Sequence, residues 1–516
     1  MRHWLLTCSI ALFLTCMFFS LPALAQQETM DPIIDYSPVF VEQPCTKQIP
    51  LNYASVCGTL YVPENRTRVN SPIIELAVRI VKTKSTQPLP DPIVYLVGGP
   101  GGSVVEQTGD FFLGNMMNFA RDRDVIFFDQ RGTGASRPRL QCEGIINTAL
   151  NALTQEFTPD DERITYQYAS ELCSSDFRQQ GIDLSTYTSA NNAADVNDLR
   201  VALGYDEWNL FGVSYGTRLA LTVMRDYPEG IRSVILDSVY PPQVNLFTEY
   251  MANAVRALDV LFAGCRADAR CYAAYPETEE RFYRLYDELN ATPQIVTLVS
   301  NSGDEINIVL NGDRLFDWVF RWLYNIDNIR HIPRWLYEID NGTYTSAVRA
   351  GLQQELVIYG IDQGMYQAVQ CYDEISFLEP ESFIKIRDTF PQYASTLDRM
   401  LTQHEALLDV CTGWQPVRAA ELENEPVRSD IPTLLLVGEY DPITPPAWAE
   451  LAAQTLTNGY LYEVPGVGHA VTFSSGCGQQ IALRFLWEPS TAPDSACLAQ
   501  APSPMFVVTR LAYTGE

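Results

Sequence analysis

Three residues have the types and the order for acyl-transfer chemistry: Ser214, Asp441 and His469. A serine hydroxyl is a poor nucleophile until a base takes its proton, and the base needs an acid to orient it. Ser214 lies in Asn209-Leu210-Phe211-Gly212-Val213-Ser214-Tyr215-Gly216-Thr217. This reads as a short apolar strand, a Gly-x-Ser-x-Gly turn and a helix start. A turn that sharp strains its central residue and leaves the hydroxyl protruding above the sheet, while small neighbours allow close approach. The five-residue string is common by chance. Its context is not: 208–213 is strand-like, and 215–226 is helix-like up to Tyr227-Pro228.

Asp441 follows the apolar run 433–437, in Gly438-Glu439-Tyr440-Asp441-Pro442-Ile443-Thr444-Pro445. His469 follows the run 460–464, in Pro465-Gly466-Val467-Gly468-His469. Both fall at carboxyl ends of strands, where the loops of a parallel sheet gather around a site. His331 and His404 sit in helical or linker sequence and read as surface or core residues. Asp237, ending the run 233–237, is a rival acid. The glycine and proline punctuation around Asp441 favours Asp441. The run 93–97 feeds Gly98-Gly99-Pro100-Gly101-Gly102-Ser103, which lacks the Gly-Lys-Ser/Thr of a phosphate loop. Its expected role is an oxyanion hole, with one N–H from Gly99 and one from Tyr215.

The positioning elements follow from periodicity. The runs 93–97, 124–128, 208–213, 233–237 and 433–437 are continuously apolar, as strands buried on both faces are. The runs 54–62 and 73–81 suit antiparallel edge strands. Residues 26–42 read as an irregular arm, and 193–203 as a helix stopped by Gly204. Asp129 and Arg131, after the second of those buried strands, read as residues that hold a loop beneath the site. About 190 residues separate 233–237 from 433–437. They are mainly helix-like, at 249–262, 277–289, 314–324 and 345–358. The expected fold is α/β: a mostly parallel sheet flanked by helices, with a large helical lid inserted between two core strands. The expected division is 1–25 leader, 26–242 core, 243–428 lid and 429–516 core.

Arg2, the apolar stretch 5–19 and Ala23-Leu24-Ala25 compose a signal peptide, so the chain is expected to be secreted or periplasmic. No other stretch is long and apolar enough for a stable membrane anchor. Loss of 1–25 removes Cys8 and Cys16 and leaves ten of twelve cysteines. An even count in an exported chain predicts disulfides, here between sequence neighbours: Cys45/Cys57, Cys142/Cys173, Cys265/Cys271, Cys371/Cys411 and Cys477/Cys497. No spacing suits zinc, and neither metal nor cofactor is expected. A net charge of −28, without a Lys/Arg run, excludes nucleic acid as a partner.

Together, Gly98-Gly99-Pro100-Gly101-Gly102, Asp129-Gln130-Arg131-Gly132-x-Gly134-x-Ser136, Gly212-x-Ser214-Tyr215-Gly216-Thr217, Gly438-x-x-Asp441-x-x-Thr444-Pro445 and Gly468-His469 resemble the prolyl-iminopeptidase and tripeptidyl-aminopeptidase family of α/β-hydrolases. The long lid and the cysteine-bearing, exported chain resemble its secreted branch. The resemblance implies a serine aminopeptidase that cleaves peptide bonds near a free N-terminus through an acyl-enzyme. Val97 stands where many iminopeptidases carry His, which weakens strict proline specificity. Cys371-Tyr372-Asp373-Glu374 resembles a Cys-x-Asp segment of the secreted branch. Asp373 and Glu374, with Glu249 behind them, are therefore the expected holders of the substrate ammonium. The same triad would serve an esterase of small esters, or the scaffold could carry a non-catalytic binding protein.

Overall fold

Apolar runs shielded on both faces build the centre of a nine-stranded sheet in the computed structural model, which describes residues 36–300, 303–379, 381–415, 417–500 and 504–509. The expected signal peptide, residues 1–25, lies outside them. The strands are β1 (Val39–Gln43), β2 (Ser55–Pro63), β3 (Ile73–Val81), β4 (Ile93–Leu96), β5 (Val125–Phe128), β6 (Trp208–Val213) and β7 (Ile231–Asp237). After the insertion, which holds β8 (Gln294–Val299) and β9 (Glu305–Leu310), come β10 (Thr433–Gly438) and β11 (Gly459–Val464). The sheet order is β1-β2-β3-β5-β4-β6-β7-β10-β11. The pairings from β1 to β5 are antiparallel, and those from β5 to β11 are parallel.

Every residue of β4, β5, β6 and β10 is buried. One apolar cluster covers one face of the sheet, with Leu96, Leu210 and Val234. Another covers the opposite face, with Tyr95, Phe211 and Ile235. That alternation along β4, β6 and β7 is the two-residue period of a strand between two helical layers. The parallel strands therefore end together on one edge, and the turns carrying Ser214, Asp441 and His469 emerge there.

Two elements depart from the expected pattern. Residues 39–43, within the supposed arm, form an edge strand paired with β2 from Val39↔Tyr61 to Gln43↔Cys57. The run is too short and too exposed to announce itself, and backbone pairing makes it a strand. The lid, expected to be mainly helical, also contains the antiparallel hairpin of β8 and β9, which was not among the expected elements. Otherwise the insertion is helical, with Leu246–Ala267, Thr278–Ala291, Gly312–Trp322, Gln363–Asp373 and Ala394–Trp414 among its helices. It has its own core, including Leu261, Phe282, Trp318 and Trp322.

Five disulfides join each of the ten cysteines to its sequence neighbour: Cys45–Cys57, Cys142–Cys173, Cys265–Cys271, Cys371–Cys411 and Cys477–Cys497. Such a set belongs to an oxidising compartment. Among the described residues, no helix is long and apolar enough to cross a membrane.

Candidate active site

Ser214 sits between β6 and the helix Tyr215–Asp226, at φ 58° and ψ −127°. This is strained backbone for a residue with a Cβ, and strain of this kind persists only where surroundings over-determine it. Here its N–H donates to Asp237 O at 3.0 Å, and its carbonyl accepts from Thr217 N at 2.8 Å. A Cβ on Gly216 would lie 1.9 Å from Leu96 O, so only glycine lets the helix start this close to β4. The glycine loop lies against the same turn. A Cβ on Gly98 would stand 2.9 Å from Ser214 Cβ and 3.4 Å from its Oγ. Among the described residues, no hydrogen bond engages the N–H of Tyr215 or of Gly99. Two unengaged backbone donors, in the segments that meet at Ser214, are of the kind an oxyanion hole uses.

His469 Nδ1 lies 2.9 Å from Asp441 Oδ2. The Asp441 carboxylate is itself held: Oδ1 accepts from Ile443 N at 3.0 Å and Thr444 N at 2.9 Å, and Oδ2 accepts from Thr444 Oγ1 at 2.7 Å. Burial pushes this carboxyl up, but His469 and the Thr444 bonds outweigh burial and hold it below the ordinary value. For His469 burial works downward, and the Asp441 charge and hydrogen bond lift the imidazole above its ordinary value.

The rival acid is placed differently. Asp237 accepts from Val471 N and Thr472 N, both at 2.8 Å, and from Thr472 Oγ1 at 2.5 Å. It therefore anchors the short helix Val471–Ser474 just after His469 and does not bond the ring. Asp129 and Arg131 are structural in the same sense. Asp129 Oδ1 accepts from Val104 N at 2.7 Å and Oδ2 from Ala135 N at 2.8 Å. Arg131 forms a buried two-point pair with Asp195, 2.7 Å at each contact.

The lid closes on the histidine. His469 N–H donates to Tyr324 O at 2.9 Å, and the Tyr324 ring packs on the imidazole at 5.0 Å between centroids. A Cβ on Gly468 would lie 2.1 Å from Leu323 O, which explains a glycine there. Phe320 and Tyr250 extend this aromatic wall into the lid.

The expected ammonium holders Asp373 and Glu374 lie in the interior. Asp373 and Glu374 are 2% and 1% exposed. Glu374 is ion-paired with Arg218 of the elbow helix and accepts from Tyr240 OH at 2.6 Å and Leu246 N at 2.8 Å. Asp373 bonds Ser189 Oγ, which in turn meets Tyr215 OH at 2.7 Å. Burial pushes both carboxyls above their ordinary values. Both Glu374 oxygens and Asp373 Oδ2 are engaged inside the protein, whereas Asp373 Oδ1 is buried without a hydrogen-bond partner. The sequence could not reveal this, because Arg218 lies far away in the chain. Glu249 is half-buried, and its Oε2 accepts from Trp448 Nε1 at 2.6 Å. The residues to which sequence reasoning gave no role at the site are Thr444 and Arg218. Only Thr444 carried a signal, the Asp-x-x-Thr-Pro turn that lets an aspartate accept from the backbone after it.

Residues 91–294 match the family described as alpha/beta hydrolase fold, and residues 400–497 the family described as TAP-like protein. The chain is similar to the serine protease Hip1 of Mycobacterium tuberculosis, 24% identical over 471 residues, covering 87% of this chain and 88% of that protein. It is 31% identical over 214 residues to a tripeptidyl aminopeptidase of Streptomyces coelicolor, covering 40% of this chain and 39% of that one. A proline iminopeptidase of Xylella fastidiosa is 26% identical over 152 residues, covering 29% of this chain and 32% of that one. The chain is a serine hydrolase of the α/β-hydrolase fold, related to the TAP-like proteins through residues 400–497.

Proposed function

We propose that the protein is an exported serine aminopeptidase, hydrolysing peptide bonds near a free N-terminus, with Ser214, His469 and Asp441 as its triad. The observations that carry this reading are the 2.9 Å contact of His469 Nδ1 with Asp441 and the strained elbow that holds Ser214. Ser214 Oγ attacks the scissile carbonyl as His469 Nε2 takes its proton. Asp441 holds the tautomer and stabilises the imidazolium that forms. The tetrahedral oxyanion falls to the N–H groups of Tyr215 and Gly99, each typically worth about 3 kcal/mol in the transition state. The imidazolium then protonates the leaving amine. Water, activated by the same histidine, releases the acyl group.

The free-amine preference rests on the similarity to a tripeptidyl aminopeptidase and on the contact of the insertion with the histidine, Tyr324 on His469, with residues 243–428 as the lid. Glu249 is the ammonium holder this reading retains, and Glu249→Gln should raise KM for free-amine substrates alone. Export rests on the leader-like residues 1–25 and the five disulfides.

The test is a panel of free and N-blocked aminoacyl and tripeptidyl fluorogenic substrates, run beside Ser214→Ala. Cleavage of free-amine substrates by the wild type, lost in the variant, is the expected result. Faster turnover of blocked substrates or small esters overturns the aminopeptidase reading.

A further inference from the structure

The lid helix Gln363–Asp373 touches the catalytic core at both ends, and each end meets a different half of the oxyanion site. At its start, Asp362 N–H donates to Gly101 O at 2.8 Å, two residues beyond Gly99. Contact is close enough that a Cβ on Gly101 would lie 2.6 Å from Asp362 O. The Asp362 carboxylate then divides between two further groups. Oδ2 accepts from Gly134 N at 2.7 Å, and Oδ1 pairs with Arg139 Nε at 2.6 Å. Asp362 is 1% exposed, so these bonds are shielded from water.

At the other end, Arg218 of the elbow helix donates to Asp373 O at 2.9 Å and is ion-paired with Glu374. Asp373 reaches Tyr215 through Ser189. Cys371–Cys411 staples this end to the long lid helix Ala394–Trp414. Eleven helical residues make a rod of about 16 Å that resists bending. Within the lid, this helix thus ties the loop of Gly99 to the residue that supplies the second N–H.

We propose that Gln363–Asp373 is a strut that sets the oxyanion donors in register, with Asp362 as the positioning residue at its glycine-loop end. The inference rests on the reading of Tyr215 and Gly99 as oxyanion donors. The physical reason is preorganisation. Gly99 has no side chain to fix it, and Tyr215 is held through its hydroxyl by Ser189, which Asp373 bonds in turn; a donor helps only where the oxyanion will form. Asp362 touches no reacting atom. It acts through Gly101 and through the loop of Gly134, whose neighbour Ala135 N–H binds the Asp129 that also holds Val104 N–H.

The test compares Asp362→Ala, Asp362→Asn and Glu374→Gln in the full chain, each first checked for a native thermal transition. Because a displacement near 1 Å costs on the order of 100-fold, Asp362→Ala should lower kcat about 30-fold with KM within about threefold. Asp362→Asn keeps an acceptor for Gly134 N–H and should restore part of the loss. A peptide aldehyde, which forms a tetrahedral oxyanion with Ser214, should lose affinity in proportion to kcat, while a product peptide should bind unchanged. A folded Asp362→Ala with wild-type kcat, or a kcat loss without aldehyde weakening, overturns the strut. If Asp362→Ala does not fold, Glu374→Gln reads the other end by the same two measures. Fluorophosphonate labelling separates the premises. A wild type unlabelled at Ser214 sinks the underlying mechanism, whereas a labelled wild type with an unaffected Asp362→Ala sinks the strut alone.

Discussion

The carboxyl ends of β7 and β10 lie side by side, Asp237 in register with Leu436, and each delivers a fully buried aspartate. The two carboxylates are chemically identical and equally deep, yet their acidities move in opposite directions. Burial pushes Asp237 up, and its bonds to Thr472 and Val471 do not compensate. Burial pushes Asp441 up as well, but His469 and Thr444 reverse the outcome. The difference lies in the partner. Neutral backbone N–H groups offer Asp237 partial charges, whereas an imidazolium offers Asp441 a full one. One strand end therefore supports the base from behind, through the helix Val471–Ser474. The other supplies the charge that the base feels.

The largest effect should come from Asp441→Asn. An amide in that position can donate to the ring and so favour the wrong tautomer. We expect kcat to fall about 10⁴-fold with KM little changed. Steady-state kinetics on a free-amine fluorogenic peptide would read it. Should Asp237→Asn produce that collapse and Asp441→Asn not, the two strand ends have been assigned the wrong way round.

Asp237→Asn should act first on stability. Its amide would face two backbone donors with one oxygen, leaving a buried N–H unsatisfied at a cost of about 2 kcal/mol. Denaturant midpoints at constant m-value would report this loss. The His469 loop loses its anchor in the process, so kcat should drop about tenfold through misplacement of the base. A variant as stable as the wild type would remove the anchoring role.

This pair of aspartates also marks how far the sequence could be read. Strands β4 to β7 and β10 were legible because two-sided burial forces largely apolar runs, and the half-buried edge strand β11 was legible from the short run 460–464. The order of Ser214, Asp441 and His469 was legible because each follows such a run. β1 was not, since backbone pairing with β2 leaves no pattern in Val39–Gln43. The β8–β9 hairpin escaped notice amid helical sequence. The burial of Asp373 and Glu374 and their link to Arg218 were hidden for a deeper reason. A carboxylate has the same letter whether it faces a substrate or an arginine 155 residues away in the chain. Asp362 escaped for the same reason, since its partners Gly101, Gly134 and Arg139 lie in the core.

The pH dependence offers a gentler test. His469 must be neutral to accept the Ser214 proton, and Asp441 raises its pKa above the ordinary 6.5. Activity should therefore fall as pH drops through a midpoint above 6.5 in the kcat/KM profile. The residual activity of Asp441→Asn should show that limb moved to lower pH. Asp237→Asn should move it less, because Asp237 contributes the weaker of the two carboxylate influences on the ring. The stability linkage has the opposite sign. A raised imidazole pKa adds stability that is full below the unfolded-state value and is lost as pH rises through the folded one.

The smallest and most discriminating test uses the two threonines that serve the two aspartates. Thr444 Oγ1 donates to Asp441 Oδ2 at 2.7 Å, and Thr472 Oγ1 to Asp237 Oδ2 at 2.5 Å. Valine keeps the branched shape at either position and removes only the hydroxyl. In Thr444→Val the backbone N–H groups of Ile443 and Thr444 still hold Oδ1, so the carboxylate stays in place. It loses one bond worth about 1 kcal/mol, and kcat/KM should fall about fivefold. With less of its charge shared, Asp441 should also lift the His469 limb slightly toward higher pH. Thr472→Val removes an equivalent bond from the anchor. It should cost about 1 kcal/mol of stability, change kcat/KM less than twofold and leave the limb where it was. If the two valines shift the limb equally, both aspartates address the imidazole, and the distinction between anchor and acid fails.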